Sequence, residues 1–318
     1  MLLHAAITVC LIMHVLMSEH FNQTAEQKEN YPAGLKMQTS SPKSVDELHK
    51  QLSQFIKEQP ATVGVSISVP GENIYVGLND TINLHAASTM KVPVMIEVFK
   101  QAEQGKFKLS DSILIKNEFN SIVDGSPYSL DIKDDSADRL YAMSGAKESI
   151  YKLIEEMITT SGNLATNLLV QFVGADHIQK TMRLLGAQDI RILRGVEDTK
   201  AYRAGLNNTT TARDLTILFQ SIMEGRAGNK QSTESMLSIL FAQKLNEKIP
   251  AGLPEGVRVA HKTGSIPGFV DHDAGIIYPM DRNPYIICIL TKGFPDEQSA
   301  NIGISTISKL VYDWYLGR

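Results

Sequence analysis

The chain holds 318 residues, 43% of them hydrophobic and 21% charged, with a net charge of −4. This is globular composition, long enough to bury a large core in one or two domains. The slightly acidic balance, with no dominant basic patch, excludes nucleic acid as a partner, and the lack of a CxxC pair, an HExxH or a Walker-type glycine loop excludes the common metal and nucleotide motifs.

Residues 1–17 are almost wholly apolar, from Met1-Leu2-Leu3 to Val15-Leu16-Met17. The run is short for a membrane span and reads as a signal peptide over 1–18, which predicts export to a periplasm or the medium. It lacks a basic n-region and a clean A-x-A site, so an uncleaved anchor is the alternative. Residues 19–43, with Pro32 and Pro42, read as a flexible lead-in to a domain over 44–318. Ser44 followed by Glu47 is a capping-box pattern, and Val45, Leu48, Leu52, Phe55 and Ile56 then follow helical spacing. Val63, Val65, Ile67 and Val69 alternate with small residues, and Ile74, Val76 and Leu78 alternate after Pro70-Gly71, predicting a hairpin.

From 88 to about 240 the pattern turns helical. Ile150, Leu153, Ile154, Met157 and Ile158 form one stripe, Leu164, Leu168 and Leu169 a second, and Leu215, Ile217, Leu218 and Ile222 a third. Strands are predicted over 257–262, 274–278 and 285–291, and a last amphipathic helix carries Ile304, Ile307, Leu310, Val311 and Trp314. Cys288, alone once the leader with Cys10 is removed, lies in an apolar run and reads as a buried small hydrophobe. Strands at both ends with helices between them predict an α+β fold of three layers. An antiparallel sheet is built from 44–87 and 250–318, a helical lobe over 88–249 is inserted, and a site lies in the cleft between.

Three short motifs carry the chemistry. Ser88-Thr89-Met90-Lys91 opens a central helix and sets a hydroxyl and an amine three residues apart on one face, where a neutral lysine can take the serine proton. Ser161-Gly162-Asn163 falls between two helical stripes, and His261-Lys262-Thr263-Gly264-Ser265 ends a late strand. Singly, each reads as a cap, a turn or a strand end. Their order, with Ser161 73 residues after Ser88 and Lys262 101 residues after Ser161, reverses that reading. Together they resemble the serine penicillin-recognising enzymes, class A β-lactamases most closely, from about residue 44 to the C-terminus.

The resemblance implies that Ser88 is the nucleophile opening a β-lactam amide and Lys91 its base or proton relay. Ser161 would pass a proton to the leaving nitrogen, and Asn163 would bond Lys91 and the substrate's side-chain amide. Lys262, Thr263 and Ser265 would meet the substrate carboxylate, and the N–H groups of Ser88 and Ser265 would form the oxyanion hole. Gly264 would leave room for substrate along the strand edge. Gly162 stands where the pattern has an aspartate. The family's deacylation loop runs from an Arg to a Glu two residues later; in Arg194-Gly195-Val196-Glu197-Asp198 the Glu comes three later. Lys200 or Ala201 replaces the loop's Asn, and Asn208 replaces the Asp that pairs with the Arg, so the anchoring ion pair is expected to be missing. Glu197 is the expected water-activating base and Asp198 the fallback.

The implied protein is an exported serine β-lactamase, a monomer that takes small β-lactams and needs no metal or organic cofactor. The rivals are a D,D-peptidase or penicillin-binding protein that takes D-Ala-D-Ala peptides and deacylates slowly, a non-catalytic covalent sensor, and an esterase on the same fold. Asp271-His272-Asp273 reads as a turn before a strand rather than a metal site. His85 and His261 flank motifs and can line the cleft. Asp131 to Asp138 reads as a solvated acidic loop at the cleft border, and Arg258 as a substrate contact from the strand before Lys262.

Overall fold

The computed structural model describes residues 44–318. The leader and the whole lead-in fall on 1–43, outside the described residues. Helix α1 (Val45–Lys57) starts where the Ser44 hydroxyl accepts the Glu47 N–H at 3.2 Å. Only this half of the capping box forms, because the Glu47 carboxylate takes the Gln51 amide instead. Strands β1 (Thr62–Val69) and β2 (Ile74–Leu78) follow as the expected hairpin. The lobe contains α2 (Lys91–Glu103), α3 (Ile150–Thr159), α4 (Asn163–Val173), α5 (Ala175–Leu185), α6 (Ala212–Met223) and α7 (Lys230–Phe241). The chain then returns through β3 (Arg258–Ile266), β4 (Val270–Tyr278), β5 (Tyr285–Lys292) and α8 (Glu297–Tyr315).

These five strands form one antiparallel sheet in the order β2-β1-β5-β4-β3. Its middle strands are buried on both faces: β5 reads as a nearly continuous apolar run, while β1 alternates apolar residues with the small Gly64, Ser66 and Ser68. Val65, Ile67, Ile287 and Ile289 face α1 and α8. Ala260, Ala274, Ile286 and Cys288 join the core of the lobe, where the three helical stripes also lie. The two chain ends thus build one three-layer body, with β3 at the sheet edge next to the lobe.

Strands β3 and β4 run further than the apolar pattern predicts. Their ladder pairs Thr263 with Asp273 and Ser265 with Asp271, so residues 271–273 are strand, not turn. These polar residues are buried: the Asp273 carboxylate accepts the Ile249 N–H at 3.0 Å and meets His261 Nδ1 at 2.9 Å, while Asp271 Oδ1 has only Lys248 Nζ near it, at 3.5 Å. His272 Nε2 reaches the His85 carbonyl at 2.8 Å. Among the described residues no acidic, histidine or cysteine cluster could hold a metal ion. Arg258 lies over the Phe241 ring, 4.0 Å from its centroid, a stacking contact at the strand end rather than a cleft contact.

Candidate active site

Ser88 does not lie within regular helix. It sits in a 3₁₀ turn, Ala87–Met90, and Lys91 opens α2 behind it. The turn begins with Ala87 at φ 45°, left-handed backbone that a non-glycine residue adopts only under local constraint. His85 Nδ1 supplies that constraint by accepting the Ala87 N–H at 3.0 Å. Burial, with Arg194 and His272 nearby, holds the His85 imidazole down at about 4, so it stays a neutral acceptor.

The Lys91 amine is fully buried and donates to the Ser161 carbonyl (2.6 Å), the Ser161 hydroxyl (3.2 Å) and Asn163 Oδ1 (2.9 Å). Burial pulls its pKa from 10.5 down to about 7, while the carboxylates of Asp135 and Glu197 oppose the shift. Lys262, equally buried, donates to the same Ser161 hydroxyl at 3.0 Å and to the Thr263 carbonyl at 2.9 Å. Its pKa falls well below the ordinary lysine value through burial and then through the charge of Lys91. Ser161, at φ 62°, therefore holds its hydroxyl between two buried amines.

Gly264 has a use in packing as well. A Cβ there would lie 2.9 Å from the Thr89 nitrogen and 3.0 Å from the Ser88 nitrogen. The glycine lets β3 close against the turn that carries Ser88. Thr263 is buried, while Ser265 is exposed at the cavity wall, where its hydroxyl accepts from Lys248 at 3.1 Å. Lys248 was not singled out in the sequence. It is 4% exposed and 3.5 Å from Asp271, a third buried amine behind the strand edge.

Glu197 and Asp198 separate cleanly. Glu197, at φ 63°, accepts Asn163 Nδ2 at 2.9 Å through one oxygen and the Asp131 N–H at 3.3 Å through the other. Burial raises its pKa. Asp198 is turned into the loop: it accepts the Ser121 hydroxyl and the Ile122 N–H, both at 2.9 Å, and caps the short helix Thr199–Arg203 through Ala201 N–H at 3.0 Å. Burial pushes its pKa up, but these donors outweigh it and the carboxyl lies below its usual range. As a fallback base Asp198 is therefore poorly disposed.

Two further residues matter here, Asn167 for the loop and Asp135 for the start of α4. Asn167 clamps Val196, accepting its N–H at 2.6 Å and donating to its carbonyl at 3.0 Å. It lies four residues after Asn163, on the same helix face, and that spacing is the available signal. Asp135 accepts the Asn163 N–H at 2.8 Å and the Leu164 N–H at 2.9 Å, so it is a helix cap and not a solvated loop residue. Arg194 binds the carbonyls of Leu206 (3.0 Å) and Gly195 (2.9 Å) and Asn207 Oδ1 (3.2 Å), and among the described residues it makes no ion pair. Asn208 Oδ1 instead accepts the N–H groups of Leu193 (2.8 Å) and Arg194 (3.3 Å). Lys200 reaches out to Asp124 at 2.9 Å, and His261, itself on β3, is buried with its ring between Asp273 (2.9 Å) and Asn246 (3.1 Å).

Ser88, Asn163, Glu197, Tyr202, Ser265 and Pro267 line one open cavity of about 560 Å³. The structure brings together Ser88, Lys91, Ser161, Asn163, Glu197, Lys262, Gly264 and Ser265 from the turn before α2, the start of α4, the Arg194–Asn208 loop and the edge strand. A lysine amine that burial brings down to about 7, a serine hydroxyl shared by two amines and a carboxyl raised by burial, gathered near the Ser88 hydroxyl, are groups that can support acyl transfer followed by hydrolysis.

Comparison with known proteins concerns the sequence and the fold. The chain is 26% identical to a β-lactamase of Streptomyces albus G over 165 residues, 51% of this chain and 52% of that one. It is 26% identical to the β-lactamase of Bacillus amyloliquefaciens over 272 residues, 83% of both chains. The fold matches the β-lactamase of Sphaerobacter thermophilus with a TM-score of 0.72 at 25% identity, covering 85% of this chain and 97% of that one. It matches PBP-A equally well, with a TM-score of 0.72 at 25% identity over 86% and 98% of the two chains. The family model described as the beta-lactamase enzyme family matches residues 47–315, and the chain belongs to that family.

Proposed function

We propose that this protein hydrolyses the β-lactam amide through an acyl-enzyme on Ser88. The observation that carries the reading is the junction at Ser161, where Lys91 and Lys262 share one hydroxyl while Asn163 links Lys91 to Glu197. In acylation, Lys91 as the free amine takes the Ser88 proton and the serine oxygen bonds to the lactam carbonyl carbon. The C–N bond then breaks, and the nitrogen receives a proton from Ser161, which is replenished through the lysines. Backbone N–H groups of Ser88 and Ser265 receive the oxyanion; losing one such donor typically costs a hundredfold to a thousandfold, roughly, in rate. Lys262 and Lys248, behind Ser265, give the substrate carboxylate a cationic end to the cavity. Glu197 then takes a proton from the water that attacks the ester, returning Ser88 and releasing the opened product. From the apolar run at 1–17 we place this activity outside the cytoplasm.

A second reading is favoured by the loop. With Arg194 held only by neutral acceptors, Glu197 lacks an ion pair at the base of its loop, and slow deacylation would make the protein a penicillin-binding protein. Intact mass against time after mixing with benzylpenicillin separates the two. An adduct that appears and then vanishes, with hydrolysed product, supports the hydrolase. An adduct that persists assigns the protein to the second reading and removes the role given to Glu197. If no adduct forms and Ser88→Ala behaves alike, the acyl-serine chemistry is wrong.

A further inference from the structure

Helix α4 carries Asn163 in its first turn, yet its N-cap is Gly162, which has no side chain to cap it. A helix start with free N–H groups frays unless an acceptor reaches them. Here the acceptor comes from another segment. Asp135 Oδ1 accepts the N–H of Asn163 (2.8 Å) and of Ala137 (3.0 Å), and Oδ2 accepts the N–H of Leu164 (2.9 Å) and the Tyr141 hydroxyl (2.9 Å). The next residue completes the brace: the Ser136 hydroxyl donates to the carbonyls of Thr160 (2.7 Å) and Ser161 (3.1 Å). Both anchors of the Lys91 amine, Ser161 and Asn163, are thus held by the pair Asp135-Ser136.

We propose that Asp135 is a positioning residue of the acylation step, holding Asn163 against Lys91 and supplying the nearby negative charge that sets when that amine becomes a free base. The inference rests on the acyl-serine reading above. Three titratable groups face Lys91 from the elements around it: Asp135 from the loop before α3, Glu197 from its own loop and Lys262 from β3. Asn163 and Ser161 contribute no charge. Asp135 is the strongest of the groups that hold the Lys91 pKa up against burial. Removing its charge while keeping an acceptor should therefore let Lys91 lose its proton at a lower pH.

The test is the rate of benzylpenicillin labelling across about pH 5 to 9, read by quenched intact mass. Four proteins are compared: wild type, Asp135→Asn, Asp135→Ala, and Asp135→Ala combined with Gly162→Asp. The backbone at Gly162, φ −59° and ψ 126°, suits an aspartate that would cap α4 from within, once Ala137, whose Cβ lies 3.2 Å from the added Cβ, gives by a few tenths of an ångström. In Asp135→Asn the acid limb of the profile should move down by roughly half to one pH unit. Asp135→Ala should label about tenfold more slowly at neutral pH, and Gly162→Asp should restore most of that loss. An Asp135→Asn profile that overlays wild type overturns the proposal, as does a slow Asp135→Ala that the transplanted cap fails to rescue. Should Asp135→Ala not fold, the Asp135→Asn profile alone decides. Wild type that takes no label at any pH would instead sink the acyl-serine reading, a distinct result.

Discussion

A Cβ on Gly195 would fall 2.2 Å from Asn167 Oδ1, the oxygen that receives the Val196 N–H. Gly195→Ala must therefore open the Asn167 clamp and release the residue before Glu197. Ser88, Lys91 and Ser161 do not touch this clamp. We expect labelling by benzylpenicillin to stay within about threefold of wild type while loss of the adduct slows by about tenfold or more, since a base must stay within hydrogen-bond reach of its water. Equal effects on both steps in a stopped-time mass series would place Glu197 outside deacylation. The same residue shows a limit of sequence reading. Gly195 looks like one more loop glycine, and only the distance to a side chain on α4 gives it meaning.

At the scale of elements, the Arg194–Asn208 loop is tied down away from its base. Asp198 joins the helix Thr199–Arg203 to Ser121 and Ile122, in the turn between the paired segments Phe119–Asn120 and Pro127–Tyr128. Asp198→Ala strips a cap and leaves those donors without a partner, which should cost about 1–3 kcal/mol. The loss should appear as faster amide exchange confined to residues 119–128 and 194–208. Uniform exchange across α4 and the sheet would contradict this local role. Elements with one chemical period were legible beforehand: the stripe Ile150 to Ile158 is buried as α3, and Val63 to Val69 alternates as β1. The halves of β3 and β4 that carry Thr263, Ser265, Asp271 and Asp273 were not, because site chemistry places polar residues where a strand pattern wants apolar ones. Within the site, the S-x-x-K, S-G-N and K-T-G groups could be read from spacing. Asp135 and Lys248 could not, and for Asn167 the spacing from Asn163 gives the helix face but not the partner, since each acts across a fold that brings distant segments together.

For the whole molecule, the buried polar groups where the edge strand meets the lobe tie stability to pH. Burial on β4 holds His272 at about 4 against an ordinary 6.5, with Nε2 on the His85 carbonyl and Nδ1 accepting the Thr291 N–H. The unfolded chain gains a proton as pH drops through 6.5, and the native protein does not until about 4. This contribution is therefore complete above 6.5 and is lost progressively as pH falls toward 4, amounting to about 3 kcal/mol for one fully buried imidazole. Half-buried His85, lowered likewise to about 4, acts in the same direction. Urea midpoints should fall between pH 7 and 4.5, and less steeply in His272→Gln. Identical slopes in the two proteins would remove His272 as the cause.

Cys288 lies at the centre of the sheet on β5, fully buried, with burial raising its thiol to about 12. Neither thiolate nor access exists while the sheet is intact. In a chain lacking Cys10, this sulfur is a clock built into the middle strand. Its side chain joins the lobe core beside Thr216 of α6, so a thiol reagent can reach it only when the lobe parts from this face of the sheet, and the pace of its modification counts those openings.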